Sequence, residues 1–173
     1  FFFFFYLKDK EIRELNKNLP QGVYFEKRGK DLFLVNKLDG YELKIPESWG
    51  NIGDVKYLDQ GEIFLSSKTT EKWVSIKRYF LKEKNNIDFK KWVKSQIQKN
   101  FGKELISSSS LKIETSTYDD VFLVKVILTF PSYLPGSDKG FFYFIHKNSV
   151  VYEFYTDISE DLLKEAFSNF FLK

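Results

Sequence analysis

The sequence predicts an α+β fold: an antiparallel sheet flanked by an amphipathic middle helix and a C-terminal helix, with an added N-terminal hairpin. Three stretches lead to this reading. Phe141 to Ile145 is an apolar run of the aromatic and β-branched residues that suit strands, and after a turn at Lys147-Asn148, Val150 to Tyr155 returns beside it. Phe89, Trp92, Val93, Ile97 and Phe101 recur at helical spacing behind Asp88. Leu162, Leu163, Ala166, Phe167, Phe170 and Phe171 fall on one face of a closing helix, which supplies the cover that a strand pair needs.

Composition narrows the class. The chain has 173 residues, which favours one domain with extensions. Hydrophobic residues make up 43% and aromatic residues 19%, so the core is built from rings; Ala166 is the lone alanine. Phe, Lys, Asn, Ile and Tyr have AT-rich codons, which suggests an AT-rich genome. Twenty-seven basic residues against 24 acidic ones give a net charge of +3. That is a mixed surface without the dense basic face of a nucleic-acid binder. Cys is absent, which excludes disulfides, thiolate nucleophiles and Cys-ligated metal within the chain.

The elements follow in order. Phe1 to Leu7 is uninterrupted apolar sequence, followed at once by Lys8-Asp9-Lys10-Glu11. Seven residues fall short of the roughly 20 that span a bilayer. The abrupt change to charge predicts the downstream end of a longer membrane anchor or signal segment; a buried strand is the competing reading. Lys8 to Asn18 reads as a polar stalk, helical or loose, so 1–22 form anchor and stalk and 23–173 a single domain. Val23-Tyr24-Phe25 and Leu32 to Val35 are strands about a turn at Arg28-Gly29, and Asp39-Gly40 signals a second hairpin. Tyr41, Leu43 and Ile45 alternate with Glu42 and Lys44, which predicts one wet face. Glu47 to Gly61 reads as a loop around Trp49, Ile63 to Leu65 as a strand, and Trp73 to Leu81 as a longer strand with Val74, Ile76 and Phe80 on one face. Lys82 to Asn86 reads as a loop.

Asp88 caps the middle helix and Gly102 ends it. Lys90, Lys91, Lys94 and Lys99 lie off its apolar stripe and read as solvated. Ser107 to Ser110 reads as a loop or edge strand. Lys112 to Thr117 and Val121 to Phe130 flank a turn at Tyr118-Asp119-Asp120. The apolar run Val121 to Leu128 predicts a central strand covered on both faces. Pro131 to Gly140 predicts a long loop. Ser159 caps the closing helix, with Glu160 and Asp161 at its positive end.

Gly40 to Trp49, where a Gly-aromatic strand runs into Pro46 and then a Trp, resembles the early strand of the PsbP-like superfamily. Asp88 to Phe101 is similar to the middle helix of that family, and Phe141 to Phe171 to its final hairpin and helix. The resemblance covers about Gly40 to Leu172, with Val23 to Asp39 outside it. It implies an antiparallel sheet of roughly six or seven strands between helices, and a binding or assembly role. The relatives include LpqN-type lipoproteins and an extrinsic photosystem II subunit. Fold does not fix function, and the resemblance carries over no ligand residue.

Little in the chain points to catalysis. His146 is the only histidine, so a zinc site of ordinary ligands has no second His or Cys. Neither G-x-S-x-G nor a phosphate-cradling glycine motif occurs. Asp119-Asp120 reads as turn chemistry and Glu160-Asp161 as helix-start chemistry. Glu153, between Tyr152 and Phe154, is the carboxylate nearest to apolar surroundings, and alternation predicts that it faces water. Trp49, Trp73 and Tyr133 are candidate partner-binding rings, with a ring tucked over the sheet as the alternative for Trp49. These readings predict a non-enzymatic, membrane-tethered, extracytoplasmic domain that binds a protein partner or supports assembly, with no cofactor, metal or nucleic acid. A carrier of an apolar, lipid-like ligand and a hydrolase centred on His146 are the alternatives.

Overall fold

A computed structural model describes residues 10–81, 88–118, 121–130, 139–147 and 149–156. The described residues are mainly β, with two antiparallel sheets of three and seven strands and few, small helices. This corrects the expected α+β class. The stretch from Val23 to Phe80 supplies six strands joined by short connections, two of them holding a turn of 3-10 helix, where the sequence predicts five strands and a long loop. The Phe1–Leu7 run and the closing helix, with Leu163, Phe167 and Phe170, lie outside the described residues, as do Asp119-Asp120, Tyr133 and the Lys82–Asn86 loop. Among the described residues, no helix is long and apolar enough to cross a membrane.

The contacts divide the chain into two compact units, one reaching Trp73 and the other starting at Val74. In the first, residues 10–16 are helical (α1). Asn16 ties α1 to the first strand: its amide donates to the Phe25 carbonyl at 2.9 Å, and its oxygen accepts from the Phe25 N–H at 2.6 Å. β1 (Val23–Arg28), β2 (Asp31–Asn36) and β3 (Tyr41–Ile45) form the three-stranded sheet in that order. The hairpin read as an addition is therefore two of the three strands of its own sheet. Gly29, at φ 63, makes the tight β1–β2 turn.

The β2–β3 turn differs from its sequence reading. Gly40 has φ 75, but Asp39 is not in the positive-φ region, because four residues rather than two separate the paired Asn36 and Tyr41. Buried Asn36 holds this longer loop, donating to the Asp39 carboxylate and accepting from the Asp39 N–H, each at 2.9 Å. Glu42 is 8% exposed, not wet, since the Arg28 guanidinium grips both of its oxygens at 2.9 Å. Glu47–Trp49 is a 3-10 turn, followed by β4 (Ile52–Tyr57), which pairs with β5 (Ile63–Ser67). The loop reading missed β4 because Gly53 and Asp54 interrupt its apolar pattern. They sit where the β4–β5 register shifts, and a Cβ on Gly53 would meet the Lys68 backbone at 3.2 Å.

The second unit carries β6 (Trp73–Phe80) from Val74 onward, α2 (Phe89–Phe101), α3 (Lys103–Ser108), β7 (Ser110–Tyr118), β8 (Val121–Thr129), β9 (Lys139–Lys147) and β10 (Val150–Thr156). Its strands run in the order β6-β10-β9-β8-β7. The expected serine loop or edge strand, Ser107 to Ser110, instead ends α3 at Ser108 and starts β7 at Ser110, with Ser109 between them. Gly102, at φ 78 and ψ 154, supplies the break between α2 and α3, a conformation that a side chain would resist. The doubly covered strands are β9 and β10, where Phe142 to Ile145 and Val151 to Phe154 are buried throughout. β8 lies one place from the sheet end. Its Val124, Val126 and Leu128 are fully buried, while the residues between them are half-buried, which corrects the central-strand reading. In β6, Val74 and Ile76 are buried as expected, but Phe80 is 66% exposed under the Arg78 guanidinium.

The apolar stripe of α2 seats on this sheet. Phe89, Val93 and Ile97 are buried in one cluster with Val124, Val126, Leu128, Phe142, Phe144 and Val151. Phe144 is the 0%-exposed member directly opposite both Val124 and Glu153, so its ring fills space that its neighbours cannot reach by moving. Phe144→Ala is expected to cost about 3–5 kcal/mol, from lost transfer energy and the cavity left behind. Urea denaturation measures it, and a loss under about 1 kcal/mol would mean that this cluster is not the core.

Candidate functional site

Two groups of residues in the second unit have the chemistry of a site. One is a buried carboxyl group. β10 carries Glu153 to the helix-covered side of the sheet, opposite Phe144 on β9 and Lys77 on β6. Glu153 is 5% exposed, which overturns the wet-face reading. Alternation failed as a guide because β10 is covered on both faces, so neither set of alternate residues meets water. The Tyr79 hydroxyl donates to Glu153 Oε2 at 2.6 Å, and the Asn100 amide donates to Oε1 at 3.2 Å. Trp92 closes the site with its ring edge-on to both Tyr79 and Phe144. Tyr79 and Asn100 lie 74 and 53 residues before Glu153, separations that no local motif encodes. The one sequence signal was a carboxylate inside an aromatic run.

The second is a groove of about 620 Å³ between α2, α3 and β7. Lys90 and Lys94, one turn apart on α2, line it with Gln98 a further turn along, and Lys103 joins them from α3. Ile106, Leu111 and Ile113 form its apolar floor. Sequence reading treated the α2 lysines as plain solvation. It could not see that α3 turns back beside them, because Gly102 gave only a stop signal. In the first unit, a cleft of about 450 Å³ is lined by both signs of charge, with Lys27, Lys30 and Lys44 facing Glu11, Asp31 and Glu47. Lys44 and Asp31 pair there at 3.5 Å. Balanced charge gives that cleft no preference for an anion or a cation.

The residues singled out in the sequence lie apart from these features. His146 is half-buried on β9, its ring 4.8 Å from that of Phe89 and tilted by 30°. Trp49 is 2% exposed, so its ring is tucked in; its carbonyl accepts from Ser67 Oγ at 2.5 Å. Trp73 is half-buried and stacks on Phe64 at 6.2 Å. No group of three or more His, Asp or Glu side chains able to hold a metal occurs among the described residues. No protein-family model matches the chain, and no curated protein matches it.

Two measurements check the local account. Tyr79→Phe leaves one buried oxygen of Glu153 without its donor and is expected to cost about 1–3 kcal/mol. A urea-denaturation loss under about 0.5 kcal/mol would mean that the hydroxyl does not hold the carboxyl group. At the start of α2, the Lys91 N–H donates to the Asp88 carboxylate at 3.1 Å and holds its pKa below the ordinary 3.8. A depressed carboxylate pKa stabilises the fold above the unfolded value and loses that contribution as pH falls through the folded one. The stability difference between the wild type and Asp88→Ala is therefore expected to be full at neutral pH and to shrink below pH 3.8. A difference unchanged in strong acid would contradict this.

Proposed function

We propose that the protein is a non-enzymatic binding domain that engages a protein partner. The observation that carries this reading is the groove between α2, α3 and β7, which joins an apolar floor to a rim of three lysines. Apolar contact supplies affinity and the charged rim supplies orientation, the usual division of labour at a recognition surface. The two groups best suited to proton transfer are otherwise engaged. His146 lies against Phe89, and both oxygens of Glu153 accept hydrogen bonds from neighbours in the core.

The filled core under α2 argues against a carrier of lipid-like ligands. Val93, Ile97, Val124, Val126 and Phe144 are each 0% exposed there. We further propose that the domain works at the outer face of a membrane, on the composition of Phe1 to Leu7 alone. Cell fractionation tests that location, and recovery of the native protein in the cytosolic fraction would contradict it.

The enzymatic alternative has a direct test. Ester and phosphoester substrates of generic type are expected to show no turnover above buffer. Turnover that disappears in His146→Ala, with the circular dichroism spectrum unchanged, would overturn the binding-domain reading.

A further inference from the structure

The groove borders the end of a sheet. β7 pairs with β8 along all nine of its residues, and among the described residues no strand pairs with its other side. An edge strand presents a row of backbone donors and acceptors, and an extended peptide can add to it. Leu111 and Ile113, two residues apart on β7, both line the groove. A strand laid along β7 would therefore send every second side chain into the same space.

The charge of that space selects the occupant. Among the described residues, Lys90, Lys94 and Lys103 line it and no carboxylate does. The lysines are exposed, and none of them pairs with a carboxylate among the described residues. The floor is recessed, with Ile106 at 9% exposure and Leu111 and Ile113 half-buried. A membrane-surface element instead needs apolar side chains that protrude past its basic ones. We propose that the groove binds an extended acidic segment of a protein partner, added along β7. Apolar side chains of the segment meet Ile106, Leu111 and Ile113, and its carboxylates meet Lys90, Lys94 and Lys103. This rests on the binding-domain reading and gives its partner a chemistry.

The test uses the full chain and a labelled peptide of roughly ten residues alternating glutamate and valine. Fluorescence anisotropy at about 50 mM salt is expected to show saturable binding that weakens at about 0.5 M salt, where screening shortens the reach of the rim charges. Two exposed charge reversals, Lys90→Glu with Lys94→Glu, are expected to weaken it by about tenfold or more. Nitrogen-15 NMR is expected to show the β7 amides shifting on titration. Binding that the double variant leaves unchanged would overturn the assignment, and so would equal binding of a lysine–valine peptide. Binding to phosphatidylserine vesicles with none to the peptide would overturn it in favour of a lipid surface. A neutral serine–valine peptide that binds as tightly removes the acidic requirement while leaving the binding-domain reading intact. That broader reading fails separately, through turnover lost in His146→Ala.

Discussion

The second unit depends on one packing interaction, the seating of the α2 stripe on the aromatic side of β8, β9 and β10. Phe89, Val93 and Ile97 are 8%, 0% and 0% exposed in this contact. At about 1.5–3 kcal/mol for each fully buried side chain, the three contribute on the order of 5–9 kcal/mol before entropy is counted. That is comparable to the whole net stability of an ordinary domain. The same contact fixes everything of chemical interest nearby. It brings Asn100 over Glu153, turns Trp92 edge-on to Tyr79, and aims the Lys90–Lys94 row past the sheet toward α3.

Burying Glu153 opposes this packing, because a carboxyl group loses water there. Hydrogen bonds from Tyr79 and Asn100 offset the loss at both oxygens. The arrangement also fixes register. A slip of one residue in β10 would carry Glu153 to the other face, away from both donors, and would exchange it for an aromatic neighbour. A buried polar group on β10 satisfied by residues from two other elements thus ties β6, α2 and β10 to one alignment.

Legibility in the sequence followed the range of the interactions. The α2 helix was readable in full, since its cap, stripe and terminal glycine are set by residues within a few positions of one another. β9 and β10 were readable from composition. β4 was not, because a bulge at Gly53 and Asp54 breaks the alternation on which strand reading relies. The fold class was overstated toward helix for a related reason: short strands with polar interruptions carry weaker patterns than helical stripes. The Arg28–Glu42 pair, the Asn36 side-chain bonds and the Glu153 site all join residues whose contact depends on turn geometry or long-range pairing. The groove was hidden by the same limit. Its lysines were visible, but the return of α3 beside them comes from the φ and ψ of Gly102.

The central claim is that α2 and the strands beneath it form one cooperative unit that holds both the carboxyl site and the lysine rim in place. Native-state hydrogen exchange followed by NMR tests it most directly. The amides of Val93 and Ile97 in α2 and of Phe142 and Phe144 in β9 should exchange together, in the slowest class, with the same opening free energy. If the α2 amides exchange far faster than those of β9, the helix opens independently of the sheet, and the account of how the site is positioned is wrong.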